Sequence, residues 1–444
     1  MSVRNKILLS VSLFYISLGT PSVQAQDVLR LTVDQALQIA QDKSHTLKVS
    51  ESKVKAAFAR LNEVDAGKYP LLKFAASYTR LSEVPKLSMV FMGNSISFPD
   101  PILDNYTSKL SLTQPLFLGN KLSASSEMVE NIAQASKLDS RKDNDEVLFA
   151  VRNAYWILYK AQEFKKILDE NVQSVTGHLK DAKNLMEQGL LTRNDLLKIE
   201  VQLSDIKYKQ ADANNGVQLA MLALNNTLSI SIATKIEIAS VPELNSEQFG
   251  NINELLETSY RNRPDLQATK YRIQAAESGV TAAKSGWYPQ VVLAGNYTYS
   301  NPNQRVSSLS PKKQFDGTWD LTLALSYDLW NWNTTGHQTE QAEAQMLQAK
   351  EGFSMMRDGV TLEVTQNYLN LNLAKEKIKI SELARSQADE NYRVTGEKFK
   401  QGLTLSSDLI DAEVALLTAK TNYTTSVVDY EVALAKMQKS IGTK

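Results

Sequence analysis

Two hydrophobic periods run through this chain, and the change from one to the other divides it. Across residues 147–186, Val147, Val151, Ala154, Leu158, Ala161, Leu168, Val172, Val175, Leu179, Ala182 and Met186 recur at spacings of four and three, with Lys165 interrupting the seam. A 3.5-residue repeat keeps one stripe of a helix facing a partner, so it predicts a coiled coil. Leu196, Ile199, Leu203, Ile206, Ala213, Val217, Ala220 and Leu224 continue the rhythm past Gln210. A weaker version returns in Val360, Val364, Leu371, Ala374 and Ile378, then in Leu409, Ala412, Leu416, Ala419 and Tyr423. All eleven prolines lie outside 116–241 and 312–444. Both stretches therefore escape the residue that costs a helix interior about 3 kcal/mol. One helix over 121–186 has 66 residues and a length of about 100 Å. No ordinary globular core is that deep, so an elongated coiled coil or a helical tube is predicted.

Ahead of each long helix the period drops to two. Phe74, Ala76 and Tyr78 alternate with Lys73, Ala75, Ser77 and Thr79, and Tyr106, Leu110 and Leu112 with Thr107, Lys109, Ser111 and Thr113. In the second half Val291, Leu293, Gly295, Tyr297 and Tyr299 alternate with Val292, Asn296, Thr298 and Ser300. Trp319, Leu321, Leu323, Leu325 and Tyr327 likewise alternate with Asp320, Thr322 and Ser326. Apolar-out, polar-in segments of about ten residues with aromatics near their ends have the pattern of transmembrane barrel strands; the competing reading is a soluble sheet with one wet face. Four strands cannot close a barrel, and open strand edges are not tolerated in lipid. Such a chain must pool strands with other copies. Two copies give eight strands and a filled interior, whereas three give twelve and room for a lumen. The polar inward positions and the tube-like helices favour three.

The chain is also duplicated. "GKYPLLKFAASYT" (67–79) returns as "GWYPQVVLAGNYT" (286–298), an offset of 286 − 67 = 219 that also pairs Leu47 with Leu266, Ala56 with Ala275 and Ala57 with Ala276. Further on, Tyr155, Gly189, Asp195 and Glu200 match Tyr368, Gly402, Asp408 and Glu413 at 402 − 189 = 213. The first copy thus carries 219 − 213 = 6 extra residues between Tyr78 and Leu116. The first unit is read as 26–230, with a helix, a strand pair in 71–117, a long helix 121–186, a tip 187–193 and a return helix 194–228. A linker, 231–251, leads to a second unit, 252–444, with a helix, a strand pair in 290–330, a long helix 334–399, a tip 400–406 and a return helix 407–441. At each tip a glycine, Gly189 or Gly402, ends the long helix. An acid soon follows: Asp195 in the first copy, Asp408 and Asp411 in the second.

Residues 1–25 have a basic start at Arg4 and Lys6, a 12-residue apolar run (7–18) and a small residue at Ala25. This predicts a secretory signal cut before Gln26. Removing its two basic residues from the balanced 49 against 49 leaves 47 − 49 = −2; no basic patch points to nucleic acid. The absence of cysteine excludes disulfides and a lipidated N-terminal cysteine. His45, His178 and His337 are scattered and read as solvated, so no metal site or cofactor is expected. No phosphate loop, "GxSxG" or "HExxH" motif supports an enzyme.

Signal, tandem repeat, two strands per repeat and long paired helices together resemble the TolC-like outer-membrane efflux protein (outer membrane factor) family. The resemblance covers the whole mature chain. It implies a mainly α fold with a β-barrel contribution: a long coiled-coil α-helical barrel plus four transmembrane strands per chain, forming a 12-stranded barrel as a homotrimer. Residues 82–104 and 301–316 would be external loops, and 229–251 would lie near mid-tunnel. The implied function is a passive exit duct in outer-membrane lipid, reaching into the periplasm and partnered by a periplasmic adaptor and an inner-membrane pump. A periplasmic coiled-coil adaptor or scaffold is the alternative. The family's pore gate falls here on Asp408, Asp411, Asp195 and Phe399, and its helix-tip adaptor contacts on Gly189, Leu190, Gly402 and Leu403. Asp408 and Asp411, at i and i+3 on one helix face, would form a constricting aspartate ring that binds multivalent cations, a site of cation block, and disfavours anions. Three positions depart from the family. Phe399 stands where the best-studied member has a tyrosine whose hydroxyl bonds the acid matching Asp195, and Thr404 where a lock arginine follows the tip glycine by two residues; Lys198 also departs, at the first-copy equivalent of Asp411. Thr192 with Asp195 approximates a capping box, so helix capping is the simpler role for Asp195. One acid suffices for capping, which favours a pore role for the Asp408–Asp411 pair.

Overall fold

The structure, a computed structural model, describes residues 28–84, 88–97, 102–242, 249–306 and 312–443. The expected signal, with its cleavage point before Gln26, lies outside the described residues. Two helical hairpins dominate. α3 (Lys121–Glu187) returns through α4 (Arg193–Thr227), and α7 (Thr334–Lys400) returns through α8 (Ser406–Ser440). Each hairpin joins a 67-residue helix to a 35-residue one, so the long arms reach about 100 Å. Val151, Leu158, Leu168, Val175 and Ala182 are buried along α3, and Val360, Val364, Leu371, Ala374 and Ile378 along α7; these are the seam positions of the 3.5-residue pattern. Lys165, the interruption, bonds Asp169 at 2.5 Å, which in turn accepts from Gln210 at 2.6 Å.

The upper halves of α3 and α7 pack against shorter helices that precede each strand pair. Where the sequence suggested one helix at the start of each repeat, there are two: α1 (Val33–Lys43) and α2 (His45–Ala66), then α5 (Ile252–Asn262) and α6 (Pro264–Lys284). The breaks have local causes. Ser44 leaves helical geometry and caps Leu47 N–H at 3.4 Å, while Pro264 fits only the first turn of a new helix. Arg263 pairs with Asp265 in the first turn of α6 at 2.6 Å and ties this second break to α7 through Glu363 at 2.6 Å. A short parallel pair, β1 (Leu29–Leu31) with β6 (Ile236–Ile238), was not expected. It is pinned to the middle of α3 by Tyr155, whose hydroxyl donates to Leu31 O at 2.9 Å and accepts from Ser240 N at 3.0 Å.

The remaining strands are β2 (Leu71–Arg80), the small hairpin β3 (Ser88–Phe91) and β4 (Asn94–Ser97), β5 (Asp104–Leu118), β7 (Gln290–Asn301) and β8 (Asp316–Ser326). β2, β5, β7 and β8 form one antiparallel sheet in that order. Its register lines up Phe74, Leu110, Tyr297 and Trp319 in one row and Leu72, Leu112, Gly295 and Leu321 in the next; the other face carries Lys73, Ser111, Asn296 and Asp320. The apolar face is bare in the single chain, with Trp319 73% and Leu325 71% exposed. β2 and β8 each keep one unpaired edge. No helix among the described residues is long and apolar enough to cross a membrane; the sheet carries the lipid-compatible surface.

Candidate pore gate at the helical tips

Both hairpins turn in the same way. Leu190 N–H reaches Leu185 O at 2.9 Å and Gly189 N–H reaches Met186 O at 2.9 Å; the second tip repeats this with Leu403 to Lys398 and Gly402 to Phe399, both 2.9 Å. This double bond is the Schellman ending, and it needs a left-handed residue. Gly189 (φ 74°) and Gly402 (φ 71°) supply it, with open space where a Cβ would stand. Leu190 and Leu403 project into solvent at the turns.

Past the first tip, Thr192 and Asp195 form a complete capping box: Asp195 N–H donates to Thr192 Oγ1 at 3.2 Å, and Thr192 N–H to Asp195 Oδ2 at 3.4 Å. Asp195 does more than cap. Its Oδ1 accepts the Ser406 hydroxyl at 2.9 Å from the other hairpin, and Lys198 Nζ lies 3.7 Å away. The Thr192 and Ser406 hydroxyls hold its carboxyl below the usual range. Loss of the tyrosine hydroxyl at Phe399 therefore does not leave Asp195 without a cross-hairpin donor. Ser406, fully buried at the start of α8, takes that part. Sequence reading missed it because one serine among "LSSD" carries no sign of which way it points.

Asp408 is exposed and accepts from Thr404 Oγ1 at 2.8 Å and Leu405 N–H at 3.4 Å. Asp411 is exposed one turn on and lines an open groove with Asn194, Leu197, Lys198 and Ile410. Phe399 closes the last turn of α7. It is 0% exposed, inside a cluster with Leu168, Val175, Leu196, Ile199 and Leu409 that joins the two hairpins. His178 corrects the solvated reading: it is half-buried, edge-on to Phe399 and bonded at 2.7 Å to Tyr392 Oη, with burial lowering its pKa. Tyr392 also bonds Ser174. Glu413 is buried beside Asn171, whose Nδ2 donates to it at 3.2 Å; burial pushes this acid up to about 8. No group of three potential metal ligands occurs among the described residues. The tip holds charge, caps and packing but no arrangement for bond chemistry.

Two helical hairpins about 100 Å long, carrying a four-stranded sheet with one lipid-compatible face, are the elements of a membrane channel protein with a helical extension. The family model described as outer membrane efflux protein matches residues 36–229 and 255–443, and the chain belongs to that family. It is an outer-membrane channel protein, not an enzyme. Among its relatives, the alkaline protease secretion protein AprF of Pseudomonas aeruginosa is 22% identical over 76% of this chain and 69% of its own. The outer membrane protein TolC of Escherichia coli is 20% identical over 92% and 82%. The solved outer-membrane channel OprN has the same fold, with a TM-score of 0.78 at 17% identity over 93% of this chain and 90% of that one.

Proposed function

We propose that three copies close a twelve-stranded barrel in outer-membrane lipid and a helical tunnel below it, which serves as the exit duct for a periplasmic adaptor and an inner-membrane pump. The duct is passive and opens at the helical tips. The carrying observation is that the internal repeat leaves unpartnered the very faces its other copy buries. Within the chain, α3 packs on α8 and β5 pairs with β7. The equivalent faces one repeat away belong to α7, α4, β8 and β2. α7 exposes Leu362, Leu369, Leu373, Ile380 and Leu383 near heptad spacing, and α4 exposes Val201, Tyr208 and Leu219. Exposed apolar stripes of this kind mark interaction surfaces. The leucines at the tips supply apolar contact points for an adaptor.

The repeat also gives the register of the missing strand pair. Leu110 faces Tyr297 in the chain; shifting by 213 and 219 places Leu323 opposite the partner's Tyr78. With no native cysteine in the chain, Leu323→Cys/Tyr78→Cys in oxidised cell envelopes should give a cross-linked ladder that stops at three chains. Leu323→Cys/Phe74→Cys, displaced by four residues or about 13 Å, should not cross-link. A ladder ending at another number refutes the trimer. A ladder of three from the displaced pair keeps the trimer and refutes the register.

A further inference from the structure

Glu413 occupies the seam between the two hairpins of one chain, seven residues into α8 and 3% exposed. Asn171 Nδ2 on α3 donates to its Oε1 at 3.2 Å, and Asn171 Oδ1 is buried with no hydrogen-bond partner. The cations nearby are engaged elsewhere: Lys420 with Glu170 at 3.7 Å and Lys198 with Asp195 at 3.7 Å. A carboxylate buried without a cation is costly, and it cannot donate to an orphan carbonyl. A carboxylic acid can. With a proton on Oε2, Glu413 returns a hydrogen bond to Asn171 Oδ1, and both groups are satisfied in one acid–amide pair. The first repeat has no such pair: Glu200 is only half-buried, and the position matching Asn171 is Ala384.

At the same level, Tyr392 from α7 reaches Ser174 and His178 on α3. Among the titratable groups at this level, Tyr392 from α7 feels the Glu413 charge, His178 from α3 bonds Tyr392, and Asp411 and Lys420 lie two and seven residues away on its own helix. We propose that this buried polar cluster is the catch that holds the two hairpins together above the closed tip, and that it is operated by a proton on Glu413. Loss of that proton leaves a buried charge with no cation beside it and Asn171 Oδ1 without a donor. The seam then gains by parting to admit water, and the tip loosens. The proposal rests on the channel reading above.

The sign follows from proton linkage. The closed seam holds the Glu413 proton up to about pH 8, whereas a hydrated glutamate in a parted seam releases it near pH 4.3. The closed form therefore binds more protons and weakens as pH rises, by up to about tenfold per pH unit for each chain, until the effect levels off above about pH 8. His178 acts in the opposite sense, because burial disfavours its charged form, but it is neutral in both states above its ordinary pKa near 6.5. Tyr392 is raised above its ordinary value by burial and stays protonated below pH 9. The window from pH 6.5 to 8 belongs to Glu413.

The test is single-channel recording of the intact assembly in planar bilayers from pH 6.5 to 9. Wild-type open probability should rise to about pH 8 and then flatten. Glu413→Gln, a permanently neutral partner for Asn171, should hold the low-pH value throughout, and Glu413→Leu provides a second neutral variant. Tyr392→Phe should raise open probability at every pH and leave the slope intact. A wild type flat over this range, or a Glu413→Gln channel with the wild-type slope, overturns the proposal while leaving a conducting channel. A protein that assembles no conducting channel at any pH instead removes the duct reading on which it rests.

Discussion

Phe399→Ala is expected to cost about 3–5 kcal/mol, concentrated at the tip where Phe399 is fully buried and joins the two hairpins. A truncated aromatic leaves a cavity that a rod of two packed hairpins cannot collapse, because the buried residues of its cluster, Ile199 and Leu409 among them, sit on long packed helices. The damage should stay local, since the sheet and the upper helices share no contact with this cluster. Amide hydrogen exchange should therefore accelerate in residues 180–199 and 392–412 while β5 and β7 stay protected. Channels should show more frequent openings without an altered mass of the assembly. Phe399→Leu keeps most of the apolar volume and should cost less than about 2 kcal/mol. Equal exchange in wild type and Phe399→Ala would show that this cluster does not hold the tip.

What could be read from the sequence was whatever repeats along it. The buried seam of α3 and α7, the hairpin turns at Gly189 and Gly402, and the two-faced strands all came from periodicity, proline-free length and glycine placement, which are one-dimensional signals. The break at Ser44 was harder because it rests on a single cap, and the one at Arg263 because it rests on the one proline that opens the next helix. The β1–β6 pair was invisible: three residues with no alternation meet a segment more than two hundred positions away. At the tip, Asp195 and Asp408 were found because they recur. Ser406, His178 and Tyr392 were not, because their roles depend on which hairpin lies opposite. Glu413 was noticed as a repeat match, but nothing in its neighbourhood in the sequence, "DAEVALL", reveals burial. His178 shows the general difficulty, since an isolated histidine on a helix looks the same whether it meets water or a tyrosine across a seam.

The acids past the two tips should separate when each is removed. Asp408 and Asp411 are exposed on one side of α8, and the proposed threefold assembly would turn six carboxylates toward a common axis. Like charges at about 8 Å repel by about 2 kcal/mol per pair at an effective dielectric near 20, and that field attracts multivalent cations. Asp408→Ala/Asp411→Ala is therefore expected to raise single-channel conductance and to abolish most of the block by trivalent cations added from the periplasmic side. Asp195 acts by a different route. Its carboxylate caps α4 and accepts the Ser406 hydroxyl across the seam, bonds worth about 1 kcal/mol for the cap and about 1.5–3 kcal/mol for the charged partner. Asp195→Ala should then shift the tip toward its open form by about tenfold or more while leaving the cation block in place. Ser406→Ala, which removes only the cross-hairpin donor, should reproduce part of that shift. Because its hydroxyl partners hold Asp195 below the usual carboxylate range, this contribution is present at neutral pH and is lost as pH falls from that usual range through the lowered pKa. If Asp195→Ala and Ser406→Ala leave open probability unchanged, the bond between the hairpins is incidental to gating. If the double alanine variant keeps the wild-type block, Asp408 and Asp411 serve only their own helix, and the narrowest charged point of the duct lies elsewhere.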